Sequence, residues 1–225
     1  MLLTATDAAG NSAQATVLVT VSAPPPVVEP SPPTNTQVVV VATLPAPWST
    51  QDIGTGIAAG NVSVSNDVYT VSGAGNISGT ADNFRYVYQT LSGDGEIKAR
   101  VAALQNAGTG AKAGIMIRES LTGGSRHAAL SLLANGQVEF LRRSSTGSSS
   151  KTTLSTGNVA PNNWIRLVRN GSKIIAYKSS NGTSWTSIGS QTITMASTIS
   201  IGLVTASGNT TSLSTATTAN VTVTP

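Results

Sequence analysis

Short segments in which apolar and polar residues alternate, separated by Gly, Asn and Ser turns, run from residue 36 to the end of the chain. No window has the i, i+3, i+4, i+7 apolar spacing of an amphipathic helix, so we expect almost no helix. Strands so close in sequence leave no room for the helical crossovers that parallel pairs need. The pattern predicts an all-β fold, a two-sheet antiparallel β-sandwich or jelly roll. The predicted strands are 37–44, 61–65, 68–72, 83–91, 95–104, 111–119, 126–134, 137–144, 164–169, 173–179, 184–190, 198–206 and 217–224.

Alternation also assigns side chains to the two faces of each strand. In NFRYVYQTL, Tyr86 and Tyr88 share a face with Phe84, which favours a packing role for all three. In AGIMIRES, Arg118 lies on the face of Met116, opposite the isoleucines. Asn-Gly pairs tolerate the positive φ of tight hairpins, so we expect two-residue turns at 135–136, 170–171 and 181–182.

The first 36 residues differ from the rest of the chain. LTATDAAGNSAQATVLVTVS predicts a hairpin, and APPPVVEPSPPTN predicts an extended, semi-rigid spacer because proline lacks an N–H and favours polyproline II. We therefore predict a hairpin at 1–22, a Pro-rich linker at 23–36 and the sandwich at 37–225. Two strands alone are marginally stable. The unpaired strand at 15–21 is therefore a candidate for self-association with the sheet edge of a neighbouring copy.

Composition excludes several classes of function. Cysteine is absent, which excludes disulfides and thiolate metal sites. No run of about 18 apolar residues is present, so no membrane span is expected. The 13 Lys and Arg residues are scattered, without the basic stripe and interleaved aromatic residues of a nucleic-acid groove. The N-terminus lacks the basic and apolar regions of a signal peptide, so we do not expect MLLTATDAAG to be one.

Five stretches together resemble a known kind of module: PWSTQDIGTG, YTVSGAGNISGTADNFRYVYQTLSGDGEIKARV, AKAGIMIRESLTGGSRHAAL, WIRLVRNGSKIIAYKSSNGTSWTSIGS and ISIGLVTASGN. They resemble the concanavalin A-like β-sandwich (lectin/glucanase superfamily) of secreted bacterial multidomain proteins. The segment 1–22 resembles the last hairpin of an immunoglobulin-like extracellular repeat. The resemblance implies a concanavalin A-like jelly roll that is secreted, extracellular or on the cell surface, and that binds carbohydrates or surfaces.

Catalysis has little support in the sequence. His127 is the only imidazole that could activate a serine such as Ser125, and no nucleophile-elbow pattern surrounds any serine. We expect His127 to begin a strand and order a turn. Glycoside hydrolysis needs two carboxylates across a cleft, and no predicted strand carries alternating acids. We therefore expect a protein that is not an enzyme.

Binding is the alternative that the polar residues favour. MIRES, SRHA and LRRSS place Arg118, Arg126, His127 and Arg142 where guanidinium groups could bind hydroxyls or carboxylates from an exposed sheet face. Sugar rings stack on aromatic side chains. The aromatic candidates for ligand binding are Tyr86, Tyr88, Trp48 and Trp185, and we expect Trp164 to pack in the core or at its rim. Trp185 follows SSNGTS, which resembles an Asp-box hairpin in which the Trp packs over its own turn.

The charge of the predicted sandwich and its possible metal ligands bear on what it binds. All Lys and Arg lie in the predicted sandwich, whereas Asp7 and Glu29 precede it, so the sandwich is net positive and an acidic polysaccharide is favoured. The sequence has neither a His-x-x-x-His pair nor an Asp-x-Asp-x-Asp loop. We expect no cofactor, and Asp52 and Asp82 are the candidates for a structural calcium site.

The sequence thus predicts a noncatalytic polysaccharide-binding accessory module of an extracellular bacterial protein. Two alternatives stay open. One is a structural, adhesion or filament subunit that uses its N-terminal strand for contacts between subunits. The other is a glycoside hydrolase or polysaccharide lyase.

Overall fold

The computed structural model describes residues 2–16, 44–157 and 163–225, and the chain divides into two compact units, Met1–Val40 and Val41–Pro225. In the first unit, β1 (Leu2–Thr6) and β2 (Ser12–Thr16) form the predicted antiparallel hairpin. The Asp7 carboxylate closes its turn by accepting the N–H groups of Ala9 and Asn11, at 2.9 Å each. Residues 17–22 of the predicted hairpin, including most of the predicted strand at 15–21, lie outside the described residues. So do the predicted linker and the predicted strand at 37–44 apart from Leu44.

The second unit is built from strands, and no helix occurs in the described ranges. None of the described residues forms a helix long and apolar enough to cross a membrane. The strands are β3 (Ser49–Ile53), β4 (Asn61–Ser65), β5 (Val68–Gly75), β6 (Phe84–Ser92), β7 (Gly95–Gln105), β8 (Lys112–Arg118), β9 (His127–Leu133), β10 (Val138–Arg143), β11 (Lys151–Ser155), β12 (Asn163–Asn170), β13 (Lys173–Ser179), β14 (Thr186–Thr192), β15 (Thr198–Ala206) and β16 (Asn209–Thr224).

These strands form two seven-stranded antiparallel sheets. The first sheet has the order β11-β10-β9-β8-β15-β6-β3, and the second has the order β14-β13-β12-β7-β16-β5-β4. The predicted all-β, two-sheet antiparallel sandwich is therefore confirmed. The sequence missed β3 and β11, the polar edge strands of the first sheet, because STQDI and KTTLS lack an apolar face.

The main core lies between the sheets and follows the predicted alternation. Ile97, Ala99 and Val101 of β7 face it, as do Ile115 and Ile117 of β8. Asn-Gly at 135–136 and 170–171 lies at hairpin turns, with Gly136 at φ 81° and Gly171 at φ 58°. The expected positions are shifted, because Asn170 pairs with Lys173 around 171–172, and Leu133 N–H donates to Gln137 O around the three residues 134–136. The expected two-residue turn at 181–182 is wrong, because β13 and β14 are joined by the longer segment 180–185.

A second apolar cluster lies on the outer face of the first sheet, the face turned away from the main core. Segment 76–83, whose ends are joined by an Asn76–Asn83 bridge, contributes Ile77 to this cluster. This outer face is therefore covered by the chain's own residues. The buried members are Ile53, Ile77, Phe84, Tyr86, Met116, Ala129, Leu141, Val204 and Ala206.

Candidate functional site

A buried group of charges lies on the covered outer face of the first sheet. Asp82 Oδ2 is 2.9 Å from Arg118 Nη1 and 2.7 Å from Arg143 Nη1, and Asp82 Oδ1 is 2.7 Å from Arg143 Nη2. His127 Nδ1 is 3.3 Å from Asp82 Oδ2. All four side chains are 0% exposed. We call Asp82, Arg118, His127 and Arg143 the buried charge cluster.

Strand register assembles this cluster. Arg118 of β8 pairs with His127 of β9, which pairs with Arg143 of β10, so the three basic residues form one row across the sheet. Asp82 comes from segment 76–83 above them. The remaining guanidinium N–H groups donate to carbonyls in the surrounding loops: Arg118 Nε to Ser120 O at 2.8 Å, Arg143 Nε to Ser148 O and Arg143 Nη2 to Gly79 O at 2.9 Å each. The cluster therefore ties three loops to the sheet.

His127 is held neutral in this cluster. Burial lowers the pKa of His127 to about 4, and the positive charges of Arg118 and Arg143 also lower it, whereas Asp82 raises it. Its Nε2 has no partner among the described residues. The Ser125 hydroxyl donates to Arg126 O at 3.1 Å and accepts from Ser120 N at 2.9 Å. The described structure shows no hydrogen bond between the Ser125 hydroxyl and the His127 ring.

We expected one exposed face made by four residues, Arg118, Arg126, His127 and Arg142. This expectation is wrong for Arg118 and His127. Segment 76–83 and the neighbouring loops bury Arg118 and His127 completely. Arg126 and Arg142 remain partly exposed but lie in separate places. Arg126 donates to Thr194 O at 2.6 Å.

Arg142 lies at the rim of the first sheet. It donates to Thr153 Oγ1 at 2.7 Å, and its guanidinium lies 4.8 Å from the centre of the Phe140 ring. Burial lowers the pKa of Arg142. Because β10 alternates its side chains, Arg142 and Arg143 point to opposite faces, and Arg143 is the member of the pair that joins the charge cluster.

The predicted aromatic candidates on this side of the sandwich serve mainly in packing. Tyr86 is completely buried, donates to Met116 O at 3.2 Å, and has a pKa raised by burial. Tyr88 is partly exposed and stacks on Tyr86 with the ring centres 5.1 Å apart. Trp48 packs against the main core and contacts Tyr69 edge-on at 5.5 Å.

The two calcium candidates are paired with arginines. Asp52 lies 3.2 Å from Arg85 and accepts the Gly60 N–H, and Asp82 binds two guanidinium groups. Within the described ranges, no group of three or more His, Asp and Glu side chains could hold a metal ion. A calcium site at these residues stays a prediction.

The outward face of the second sheet is different, because aromatic rings lie partly exposed on it. We call Trp164, Tyr177, Trp185 and Arg166 the aromatic face. Arg166 of β12 pairs with Tyr177 of β13, and the Arg166 guanidinium lies 5.4 Å from the Tyr177 ring centre and 5.8 Å from that of Trp185. The Glu96 carboxylate accepts from Arg166 Nε at 2.9 Å and also from Nη2. This ion pair holds the guanidinium within 5.8 Å of both ring centres.

Segment 180–185 supports the aromatic face from one end. Asn181 Oδ1 accepts the N–H groups of Thr183 and Ser184 at 2.9 Å each. The Trp164 ring packs on Gly182, where an added Cβ would lie 2.9 Å from the ring. Trp164 of the adjacent strand thus packs on this turn, and the Trp185 ring lies near Arg166. The expectation from the Asp-box resemblance that Trp185 packs over its own turn stays a prediction.

Sequence reasoning placed Trp164 in the core or at its rim, but the structure places it on the outward face. The signal was present, because Trp164 alternates with the core residue Ile165. Sequence reasoning did not select Tyr177 or Arg143, and it selected Asp82 only as a calcium candidate, not as the partner of two arginines. Their roles depend on cross-strand register and on segment 76–83, which a single strand pattern does not show.

The fold is that of a jelly-roll β-sandwich, and solved structures share it. A functionally unknown protein from Saccharomyces cerevisiae matches with a TM-score of 0.60 and 13% identity over 79% of this chain and 94% of that one. The carbohydrate-binding module CBM66 from Bacillus subtilis matches with a TM-score of 0.52 and 15% identity, covering 79% and 95% of the two chains. A prokaryotic β-1,3-1,4-glucanase (lichenase) from a mouse hindgut metagenome matches with a TM-score of 0.52 and 9% identity, over 78% of this chain and 91% of that one.

No protein-family model matches the sequence, and no curated protein matches it. The solved structures share only 9–15% sequence identity with this chain, so their similarity establishes the fold alone.

Proposed function

We propose that the sandwich is a noncatalytic polysaccharide-binding module of an extracellular bacterial protein. The aromatic face of the second sheet carries this proposal, since Trp164, Tyr177 and Trp185 are partly exposed on one outward surface beside Arg166. Sugar rings stack on such aromatic faces, and planar polar groups bond their hydroxyls. Among similar structures, one is named as a carbohydrate-binding module and one as a glucanase, which supports a carbohydrate ligand.

The ion pairs on the first sheet support binding rather than hydrolysis. A glycosidase needs two carboxylates that flank the scissile bond. On the outer face of the first sheet, Asp82 is 0% exposed between two arginines, and Glu139 is 7% exposed and 2.7 Å from Lys112 Nζ. Neither carboxylate faces solvent, so neither could act on a sugar chain bound to this face.

The test is binding of the full chain to a panel of soluble neutral and acidic polysaccharides by affinity electrophoresis. We expect retardation by at least one polysaccharide, and its loss in the Trp164→Ala and Trp185→Ala variants. The matched control is Leu154→Ala, which removes a side chain that is 51% exposed on the first sheet and should leave retardation unchanged. No retardation on any polysaccharide would refute the proposal, and so would new reducing ends released from the retained polysaccharide.

The N-terminal hairpin favours a second candidate, a structural or adhesion role through self-association. The described side chains of β1 and β2 are exposed, and a lone two-stranded ribbon is marginally stable. Addition of β2 to the sheet edge of another copy would stabilise it. Light scattering of the full chain over a concentration series should then show dimers or larger species, and Ala13→Pro in β2 should reduce them. A monomer at every concentration would exclude this role.

A further inference from the structure

A pocket lies beside the aromatic face, at the end where Trp164 meets β7. It encloses about 440 Å³, near the lower end of the range of small-ligand sites. Arg100 belongs to both features, since it lines the pocket and its guanidinium lies 5.9 Å from the centre of the Trp164 ring. The lining residues are Asn66, Asp67, Val68, Tyr69, Arg100, Ala219, Asn220 and Val221.

Arg100 differs from the other arginines in its hydrogen bonding. Across residues 44–157 and 163–225, each of the other arginines donates to a carboxylate, a hydroxyl or a backbone carbonyl. The Arg100 guanidinium has no acceptor in these ranges, and its Nε is buried without a partner. Ala219, its cross-strand neighbour on β16, has no side-chain acceptor to offer. A guanidinium beside a pocket with its donors unused is available to a ligand.

Asp67 supplies the opposite chemistry in the same pocket. Its side chain is exposed, and it makes no ion pair within the described ranges, Arg100 included. The pocket therefore presents free donors on one residue and free acceptors on another, and the two residues form no ion pair with each other. A pair of neighbouring hydroxyls, each able to donate and accept, complements this arrangement.

Backbone geometry holds these groups in place. Asn66 at φ 49° and Asp67 at φ 59° form the two-residue turn between β4 and β5, and Asn220 at φ 54° lies where the pairing of β16 shifts register. Positive φ at both central residues is the usual geometry of a two-residue hairpin turn, and Asn and Asp adopt it readily. The turn therefore sets where the Asp67 carboxylate leaves the backbone at the pocket.

We propose that this pocket binds an uncharged sugar residue of the polysaccharide, with Asp67 accepting and Arg100 donating hydrogen bonds to adjacent hydroxyls. The proposal rests on the proposed function, and it adds a preference for neutral sugars. The Asp67 carboxylate would repel a uronate or sulfate group, whereas a neutral hydroxyl pair satisfies both side chains. The remainder of the sugar chain would continue over Trp164.

The test measures binding of the full chain to neutral gluco-, xylo-, manno- and fructo-oligosaccharides and to oligouronates by isothermal titration calorimetry. We expect binding to a neutral oligosaccharide, weakened about tenfold or more by Arg100→Gln and by Asp67→Asn, as expected when a charge-assisted hydrogen bond is lost. Ala219→Asp should weaken binding similarly, because it places a competing carboxylate opposite Arg100. Ala219→Asn is the control of similar size that lacks the charge. Lys173→Gln, at an exposed residue of the same sheet, should bind as the unmodified protein does.

The outcomes separate the two proposals. If Arg100→Gln and Asp67→Asn, with unchanged melting temperatures, bind as tightly as the unmodified protein while Trp164→Ala does not bind, the pocket proposal is overturned and the aromatic face stands. Binding to oligouronates in preference to neutral sugars also overturns the pocket proposal. Absence of all glycan binding overturns both.

Discussion

The buried imidazole makes the stability of the sandwich dependent on pH in a way that can be isolated. In the buried charge cluster, two arginines share the single carboxylate of Asp82, so a protonated His127 would add a second excess positive charge in a site without solvent. Burial and both guanidinium groups therefore lower the pKa of His127 to about 4. The unfolded chain has no such constraint, and its histidine titrates near 6.5.

The sign follows from the two pKa values. Above pH 6.5 the imidazole is neutral in both states, and it contributes no pH dependence. As the pH falls from 6.5 towards 4, the unfolded chain takes up a proton that the folded chain does not, so the free energy of unfolding decreases. The difference between the two pKa values corresponds to a decrease of ~3 kcal/mol in the free energy of unfolding, because one pKa unit is about 1.36 kcal/mol.

The assay is urea denaturation of the protein and of its His127→Gln variant at several pH values between about 7.5 and 4. Carboxylates titrate in both proteins, so the difference between the two free energies of unfolding isolates the histidine. We expect the variant to gain ~2–3 kcal/mol relative to the unmodified protein over this range. A difference that stays constant within about 0.5 kcal/mol would show that His127 is protonated, or accessible to protons, in the folded state.

Two further predictions test the packing described above. Asp82→Asn should lower the free energy of unfolding by about 3 kcal/mol or more, because it leaves two buried guanidinium groups without a counter-charge. In the same urea titration, the control Asp67→Asn, at an exposed turn, should change it by under about 0.5 kcal/mol. Gly182→Ala and Gly171→Ala both place a Cβ at positive φ and should each cost about 1 kcal/mol, but only the former meets the Trp164 ring. Only Gly182→Ala should therefore also weaken polysaccharide retardation, and equal retardation of the two variants would contradict the packing of Trp164 on its turn.

Local alternation explains why much of the fold was predictable. A strand with one face on the core must place apolar residues at every second position, and β7 and β8 do so. The edge strands β3 and β11 pair on one side only and carry polar side chains, so that signal is weak. Their positions became evident only from their pairing with β6 and β10.

The candidate site was less predictable because it depends on contacts between distant segments. Alternation placed Arg118 opposite the core, which the structure confirms. Nothing local to β8 shows that segment 76–83 returns to cover that face and supplies Asp82. A polar side chain on the face opposite the core can therefore either be exposed to solvent or be buried under a covering segment. The pattern of its own strand does not show which, because the covering segment comes from elsewhere in the chain.

The two outward faces of the sandwich show what that difference means for function. Both carry arginines beside aromatic rings: Arg118 lies 5.3 Å from the Phe84 ring centre, and Arg166 lies 5.4 Å from that of Tyr177. On the first sheet the donors are used by Asp82 and by loop carbonyls, so the arginines hold the cover in place. On the second sheet no covering segment is found within the described ranges, the rings stay partly exposed, and Arg100 keeps its donors free. The proposed glycan binding is therefore assigned to the second sheet, because donors that hold a covering segment are not available to a ligand.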